Sequence, residues 1–318
     1  MVHPNPVRVG LLGLGKMGQN HLRVLSMLKS VELVFVYDLD PRVAARLADA
    51  HGVHTDADVE KLLLQVDAAV ICTPTVTHGD YIRRAARHVK KIFVEKPMAD
   101  SLEEAQALSA FAATHGLGIQ VGFIERFNPA VQQLKSVLDK SAQVISIDFT
   151  RTNKLSARIT DVDVVTDLMI HDIDLALYLN GPVSSVSAHG VAQGQMIDFA
   201  SALLTHQNGR FSRIQASRIT EKKIRTIQAT CIDMYVDCEL VRKELLINRQ
   251  SEIQQQDGGP YTISAIEQTI EVRQQEALLT ELQAFVAFCH AQDVDVPTAA
   301  DGLHAADICD QIQKAVRQ

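Results

Sequence analysis

The chain has 318 residues, 47% of them hydrophobic, and a net charge of −7 with its Lys and Arg scattered. That length accommodates two domains, and dispersed basic residues on an acidic chain exclude a nucleic-acid face. The start, MVHPNPVRVG, has no basic region leading into a long apolar stretch, and no apolar run is long enough to span a bilayer, so neither a signal peptide nor a membrane segment is expected.

Residues 7–12 are an apolar run, Gly13, Gly15 and Gly18 then fit G-x-G-x-x-G, and a helical pattern over 17–29 follows with Met17, His21, Val24, Leu25 and Leu28 on one side. Strand, glycine turn and helix are the context of a dinucleotide-binding fingerprint. Gly13 permits the tight turn, Gly15 lets a pyrophosphate approach the backbone, and Gly18 lets helix and strand pack closely. The helix start at Lys16 and Met17 presents N–H groups and a positive dipole end to phosphate. A second strand, 31–37, leads to Asp38, whose carboxylate can accept from ribose hydroxyls and would repel a 2′-phosphate. NAD is therefore expected rather than NADP, a preference that Arg42 weakens slightly.

Strands are next expected at 68–72, 91–94 and 118–122, with helices near 41–50, 57–64, 78–88 and 102–115. Asp40 and Pro41 start one helix that Gly52 ends, and Ser101 with Glu104 forms a capping box for another. Alternation of this kind means a parallel, doubly wound sheet. Within IFVEKPMAD, Lys96 stands at a strand's carboxyl end, where a parallel sheet faces its ligand crevice. Pro97 stiffens the chain there and Glu95 offers a negative partner. A lysine so placed can relay a proton; a surface-loop lysine is the plainer reading. The five cysteines (Cys72, Cys231, Cys238, Cys289 and Cys309) include no C-x-x-C pair and are expected as free thiols in a reducing cytoplasm, with no metal.

After Phe123 the rhythm changes. A helix over 129–139 opens at Asn128-Pro129, QVISIDFT alternates as a strand, and a helix is expected over 163–179. Strands follow at 184–190, 196–205, 210–217, 226–236, 240–248 and 262–272, with a hairpin at Asn208-Gly209, and helices near 275–291 and 301–316 close the chain. These readings predict an N-terminal domain over 1–121 and, over 122–318, a C-terminal α/β domain with a largely antiparallel sheet. On the 163–179 helix, Asp167, His171, Asp174 and Tyr178 share one stripe. A His flanked by carboxylates suits a general base. The competing readings are a solvated polar face and a metal site of Asp167, His171 and Asp174, which lacks a fourth ligand. Arg151, Lys154 and Arg158 precede this helix as cations for a diphosphate, or as a solvated loop.

With the glycine loop, Glu95-Lys96-Pro97 and the Asp167…His171 pair in this order, the sequence resembles the Gfo/Idh/MocA oxidoreductase family over nearly its whole length. The resemblance implies a Rossmann domain followed by an α/β domain whose large sheet builds dimers or tetramers. It implies Lys96 as the catalytic lysine, His171 as acid/base with Asp167 as its acidic companion, and Thr73, Pro74 and His78 of CTPTVTH as nicotinamide-side contacts beside Glu95 and Lys96. The block VGFIERFNPAV, residues 121–131, is similar to one branch of the family. Members of that branch oxidise the 3-hydroxyl of UDP-N-acetylglucosamine before an aminotransferase installs nitrogen, on the way to amide-linked lipid A. Arg126 and Asn128 would there hold phosphate or sugar oxygens, with Lys96, Arg151, Arg158 and His171 completing the substrate set; capping and hinge structure is their other reading. The expectation is a cytoplasmic, NAD-dependent sugar dehydrogenase, a homodimer or homotetramer coupled to an aminotransferase, with substrate between its domains. An inositol or free-sugar dehydrogenase and a non-catalytic NAD sensor are the alternatives.

Overall fold

Strand and helix alternate through the first 124 residues, as the hydrophobic pattern demands. The computed structural model describes residues 5–153, 162–194, 196–254 and 262–318. In chain order come β1 (Val7–Leu12), α1 (Lys16–Met27), β2 (Val31–Tyr37), α2 (Pro41–His51), α3 (Val59–Leu63), β3 (Ala68–Ile71), α4 (His78–Ala85), β4 (Lys91–Glu95), α5 (Leu102–His115) and β5 (Gly118–Gly122). The strands form one parallel sheet in the order β2-β1-β3-β4-β5. Near-continuous apolar strands are what a sheet covered on both faces requires.

Local signals set the ends. The Asp40 side chain caps α2 at the Arg42 N–H, and Gly52 closes that helix at φ 66°. At α5 only half of the expected capping box forms: Ser101 accepts from the Glu104 N–H, whereas the Glu104 carboxylate pairs with Arg83. An arginine in reach outcompetes a backbone N–H for a carboxylate. Met17 leaves the expected apolar side of α1 and is 39% exposed, while Gly18, His21, Leu22, Val24 and Leu25 are buried.

The remaining elements are α6 (Pro129–Leu138), β6 (Val144–Thr152), a π-helical turn (Val165–Met169) running into α7 (Ile170–Asn180), β7 (Val183–Gln193), β8 (Met196–His206), β9 (Phe211–Ser217), β10 (Ile224–Cys231), β11 (Met234–Glu239), β12 (Glu244–Gln254), β13 (Thr262–Ile270), α8 (Ala277–Cys289) and α9 (Ala299–Arg317). The eight strands make one sheet in the order β13-β12-β11-β10-β6-β9-β8-β7, antiparallel at every pairing except β6 with β9. The expected strand over 226–236 divides into β10 and β11 at Ile232-Asp233, where the burial alternation changes phase between Cys231 and Met234 without Gly, Pro or Asn to mark the reversal. Its successor starts at Glu244, after a turn in which Lys243 takes φ 57°. The Asn208-Gly209 hairpin forms between β8 and β9, with Gly209 at φ 83°.

The chain divides into two compact units, residues 1–124 with 276–307, and residues 125–275 with 308–318. The first boundary lies near the expected 121, but 276–307 joins the first unit rather than the second. The reason is packing: Leu278, Leu282, Phe285 and Val286 of α8 share one core with Val9 and Leu11 of β1, Leu22 and Leu25 of α1, and Phe93 of β4. In the second unit α6 packs on β11 and β12, and α7 on β6 and β9.

Candidate active site

The glycine loop of the first unit opens onto a cavity of about 350 Å³, lined by Gly13, Gly15, Asp38, Thr73 and Pro74 together with Tyr37, Leu39 and Tyr81. Gly13 holds φ +88°, and a Cβ there would lie 2.6 Å from the Cys72 carbonyl and the Thr73 nitrogen. A Cβ on Gly18 would meet the Gly13 carbonyl oxygen at 1.9 Å, whereas one on Gly15 would have no atom within 4 Å. Gly13 and Gly18 are therefore dictated by the protein's own backbone. Gly15 faces space in which a ligand can approach the chain, and it caps α1 with no side-chain hydrogen bond, so the first N–H groups of that helix point at the same opening. The donor set fits a dinucleotide pyrophosphate.

Asp38 bridges the loop and the next segment: Oδ2 accepts from the Leu14 N–H at 2.7 Å and Oδ1 from the Asp40 N–H at 2.9 Å. Carboxylate oxygens accept more than one hydrogen bond, so the lining side of Asp38 remains available to a ribose. Across the cavity, the Thr77 hydroxyl donates to the Pro74 carbonyl at 2.7 Å and lies 2.9 Å from the Thr73 hydroxyl, fixing that rim. Lys16 and Met17 lie on the exposed side of the first helical turn.

His78, expected as a ligand contact, is buried, and its Nδ1 and Nε2 each lie 2.9 Å from a carbonyl, of Pro97 and Thr73 respectively. It ties the 73–78 segment to the Lys96–Pro97 segment instead of facing a ligand. Burial lowers its pKa, against the pull of the Thr73 and Pro97 carbonyls.

Lys96 is half-buried at the end of β4, and its peptide bond to Pro97 is cis. Glu95 Oε2 accepts the Lys96 N–H at 3.2 Å, and Glu95 Oε1 lies 2.7 Å from Nε2 of the fully buried His21. His21 in turn packs on Phe93, with ring centroids 5.1 Å apart. The helix that begins at the glycine loop is thereby fastened to the strand end that presents Lys96. Sequence reasoning read His21 only as part of an apolar stripe; a histidine three residues past the last glycine, on a buried side, was the signal that it needed a polar partner. Cys72 Sγ lies with these groups, the three potential ligand atoms being within 4.8 Å of one another.

In the second unit, the π turn makes the Ile170 N–H bond to the Val165 carbonyl and breaks the expected 3.6-residue stripe. Asp167 and His171 stay half-buried, but Asp172 and Asp174 turn inward. Asp174 receives Arg126 through both oxygens, Nε at 2.9 Å and Nη2 at 2.6 Å, and that guanidinium lies 4.9 Å from the Tyr178 ring centroid. Asp172 receives Arg151 likewise, at 2.8 Å twice, while Arg151 Nη1 reaches Glu125 Oε1 at 2.8 Å. Asn128 donates to Glu125 Oε2 and caps α6 at the Ala130 N–H. Burial disfavours the Glu125 charge, yet Arg151 and the Asn128 hydrogen bond outweigh it and hold the carboxyl low.

This network corrects three expectations about substrate contacts. Arg151 is 1% exposed and fully engaged, Arg126 is spent on Asp174, and Asn128 is a helix cap. Asp174, Asp172 and Glu125 hold the two arginines in place, because a buried guanidinium without carboxylates would be prohibitively desolvated, and Asn128 fixes the start of α6. Arg158 and Lys154 lie outside the described residues. Arg225 of β10, absent from the sequence reading, joins the network's edge at 3.4 Å from Glu125 Oε1; the basic run Lys222-Lys223-Ile224-Arg225 was its only sequence signal.

Comparison with known proteins agrees with this arrangement. Residues 7–123 match the family model described as oxidoreductase family, NAD-binding Rossmann fold, and residues 145–232 match the GFO/IDH/MocA C-terminal domain. The UDP-N-acetylglucosamine 3-dehydrogenase of Acidithiobacillus ferrooxidans is 30% identical over 90% of this chain and 88% of its own. Its solved structure superimposes with a TM-score of 0.87 at 28% identity, covering 98% of both chains. An inositol 2-dehydrogenase of Rhizobium meliloti is 28% identical over 98% of this chain and 97% of its own.

Proposed function

This chain belongs to the Gfo/Idh/MocA oxidoreductase family, the NAD-dependent dehydrogenases of sugars and polyols, and from that premise we propose that it oxidises the 3-hydroxyl of UDP-N-acetylglucosamine to the 3-keto sugar nucleotide. The observation that carries the substrate is the full-length likeness to the Acidithiobacillus enzyme in both sequence and fold. In this reading NAD supplies the hydride acceptor, held by the Gly13–Gly18 loop, the start of α1, Asp38, Thr73 and Pro74. His171 accepts the proton of the hydroxyl as the carbon–oxygen bond becomes a carbonyl. Asp167, one turn before it, orients and tunes the imidazole, and Lys96 aids the removal of the proton. Glu95, His21 and His78 fix the strand end and loop from which Lys96 acts.

The product is a ketone ready for an aminotransferase, so the reaction fits the first step toward an amino sugar of lipid A, in the cytoplasm. No helix among the described residues is long and apolar enough to cross a membrane. The face of the large sheet opposite α6 and α7 exposes Leu203 and Phe211 among Asp148 and Arg213, which suits a homodimer or homotetramer built through that face.

A second reading, an inositol or free-sugar dehydrogenase, is favoured by the Rhizobium relative, whose match covers more of both chains at nearly the same identity. Purified protein with NAD and a panel of UDP-N-acetylglucosamine, N-acetylglucosamine, myo-inositol and glucose separates the two by NADH absorbance. Turnover of UDP-N-acetylglucosamine supports the first; turnover of myo-inositol alone replaces it with the second. Against the preferred substrate, Lys96→Met and His171→Ala should each lower kcat by about 10²- to 10⁴-fold, the usual worth of acid–base catalysis, while NAD binding by calorimetry holds.

A further inference from the structure

Arg225 of β10 stands directly across the ladder from Arg151 of β6, so both guanidinium groups leave the same face of the sheet. Like charges in that position repel, and the surrounding carboxylates answer the repulsion unevenly. Arg151 takes both oxygens of Asp172 and the near oxygen of Glu125. Arg225 reaches only that same Glu125 oxygen, at 3.4 Å, and its Nε, shielded from solvent, has no hydrogen-bond partner among the described residues. Its side chain is 29% exposed, against 1% for Arg151. A guanidinium has five N–H donors in a planar fork; one long contact to an oxygen already taken leaves that fork open. Burial and the charge of Arg151 lower the Arg225 pKa, while Glu125, Asp172 and Asp167 support it. The geometry thus leaves donors of this guanidinium open to an incoming anion. The exposed Lys222 and Lys223 precede it on the chain.

We propose that Arg225 is the substrate-docking cation of the second unit, gripping two oxygens of the diphosphate of a nucleotide sugar and so selecting such substrates over neutral polyols. A planar fork matches paired phosphate oxygens; a neutral polyol hydroxyl offers that fork no charge-assisted partner. This rests on the sugar-dehydrogenase reading above and assigns the anion site that the buried Arg126 and Arg151 do not supply.

The test uses the full-length protein as wild type, Arg225→Met and Arg225→Lys. Each is titrated by calorimetry with NAD, UDP and UDP-N-acetylglucosamine, and assayed for turnover of UDP-N-acetylglucosamine and myo-inositol. Losing charge-assisted hydrogen bonds should weaken UDP and UDP-N-acetylglucosamine binding about 10- to 100-fold in Arg225→Met. The loss should appear in KM more than in kcat, with NAD binding and myo-inositol turnover unchanged and Arg225→Lys intermediate. If Arg225→Met binds UDP and UDP-N-acetylglucosamine like wild type, or loses myo-inositol turnover to the same degree, the docking role is overturned while the substrate stands. If wild type turns over myo-inositol but neither binds nor oxidises UDP-N-acetylglucosamine, the substrate reading falls and takes this role with it.

Discussion

Arg151 carries a full charge at almost no exposure because Asp172 and Glu125 surround its fork, and the arrangement is only as good as its completeness. Removing one member of a buried, hydrogen-bonded ion network leaves the others desolvated and unmatched. Arg151→Met should therefore lower unfolding free energy by about 3–5 kcal/mol, read from the urea midpoint; a change below about 1 kcal/mol would place the network outside the stabilising core. Cys72, Cys238 and Cys289 obey the opposite logic, since burial outweighs anything that would stabilise a thiolate and keeps them protonated. Burial raises Cys72, with Glu95 and Glu281 adding to it, and burial pushes Cys238 and Cys289 up to about 12. Native protein should react slowly with a thiol reagent near neutral pH and rapidly once unfolded in urea; fast native labelling of Cys72 would contradict its environment.

At the scale of the element, the strand–loop–helix unit around Gly13–Gly18 separates what the fold needs from what the ligand needs. Gly15→Ala adds a methyl group into open space, so its melting temperature should match wild type while NAD affinity falls by at least about tenfold, ~1.4 kcal/mol. Gly18→Ala drives its Cβ onto the Gly13 carbonyl and should lower the melting temperature itself. Equal effects of the two substitutions would mean that Gly15 is structural. The π turn before α7 is the matching device in the second unit: one extra residue in the winding keeps Asp167 and His171 partly open and sends Asp172 and Asp174 inward to arginines.

For the whole molecule, acid should be the destabilising direction. His78 in the first unit and His206 in the second have pKa values lowered by burial below the ordinary histidine value. Between those values and pH about 6.5 the unfolded chain binds more protons than the folded one, so stability is complete above that range and is lost as pH falls. Glu104, held low by its hydrogen bond to Arg83, and Glu125, held low by Arg151, extend the loss below the ordinary carboxylate range. Melting temperature should decline steadily from neutral pH downward, and His78→Gln should flatten the upper part of that decline; a flat profile in wild type would contradict both histidine environments.

The sequence by itself determined the elements and the cofactor loop, because helix caps, glycine spacing and hydrophobic period are local properties. Asp40-Pro41, Gly52, Asn208-Gly209 and the three loop glycines act through their own backbone angles and nearest neighbours. It missed the reversal at Ile232-Asp233, where no Gly, Pro or Asn marks the turn. Only the tertiary structure decided which charges face inward. Arg126 and Arg151 read as exposed ligands in sequence, yet their partners Asp174, Asp172 and Glu125 lie on other elements, and no local pattern reveals a pairing made across a fold. The same holds for His21 with Glu95, and for α8 joining the first core from the far end of the chain. Burial of a polar group is an outcome of packing between distant segments, and it is that burial which turned a set of candidate ligands into a framework and left Arg225, among the described residues, with donors to spare.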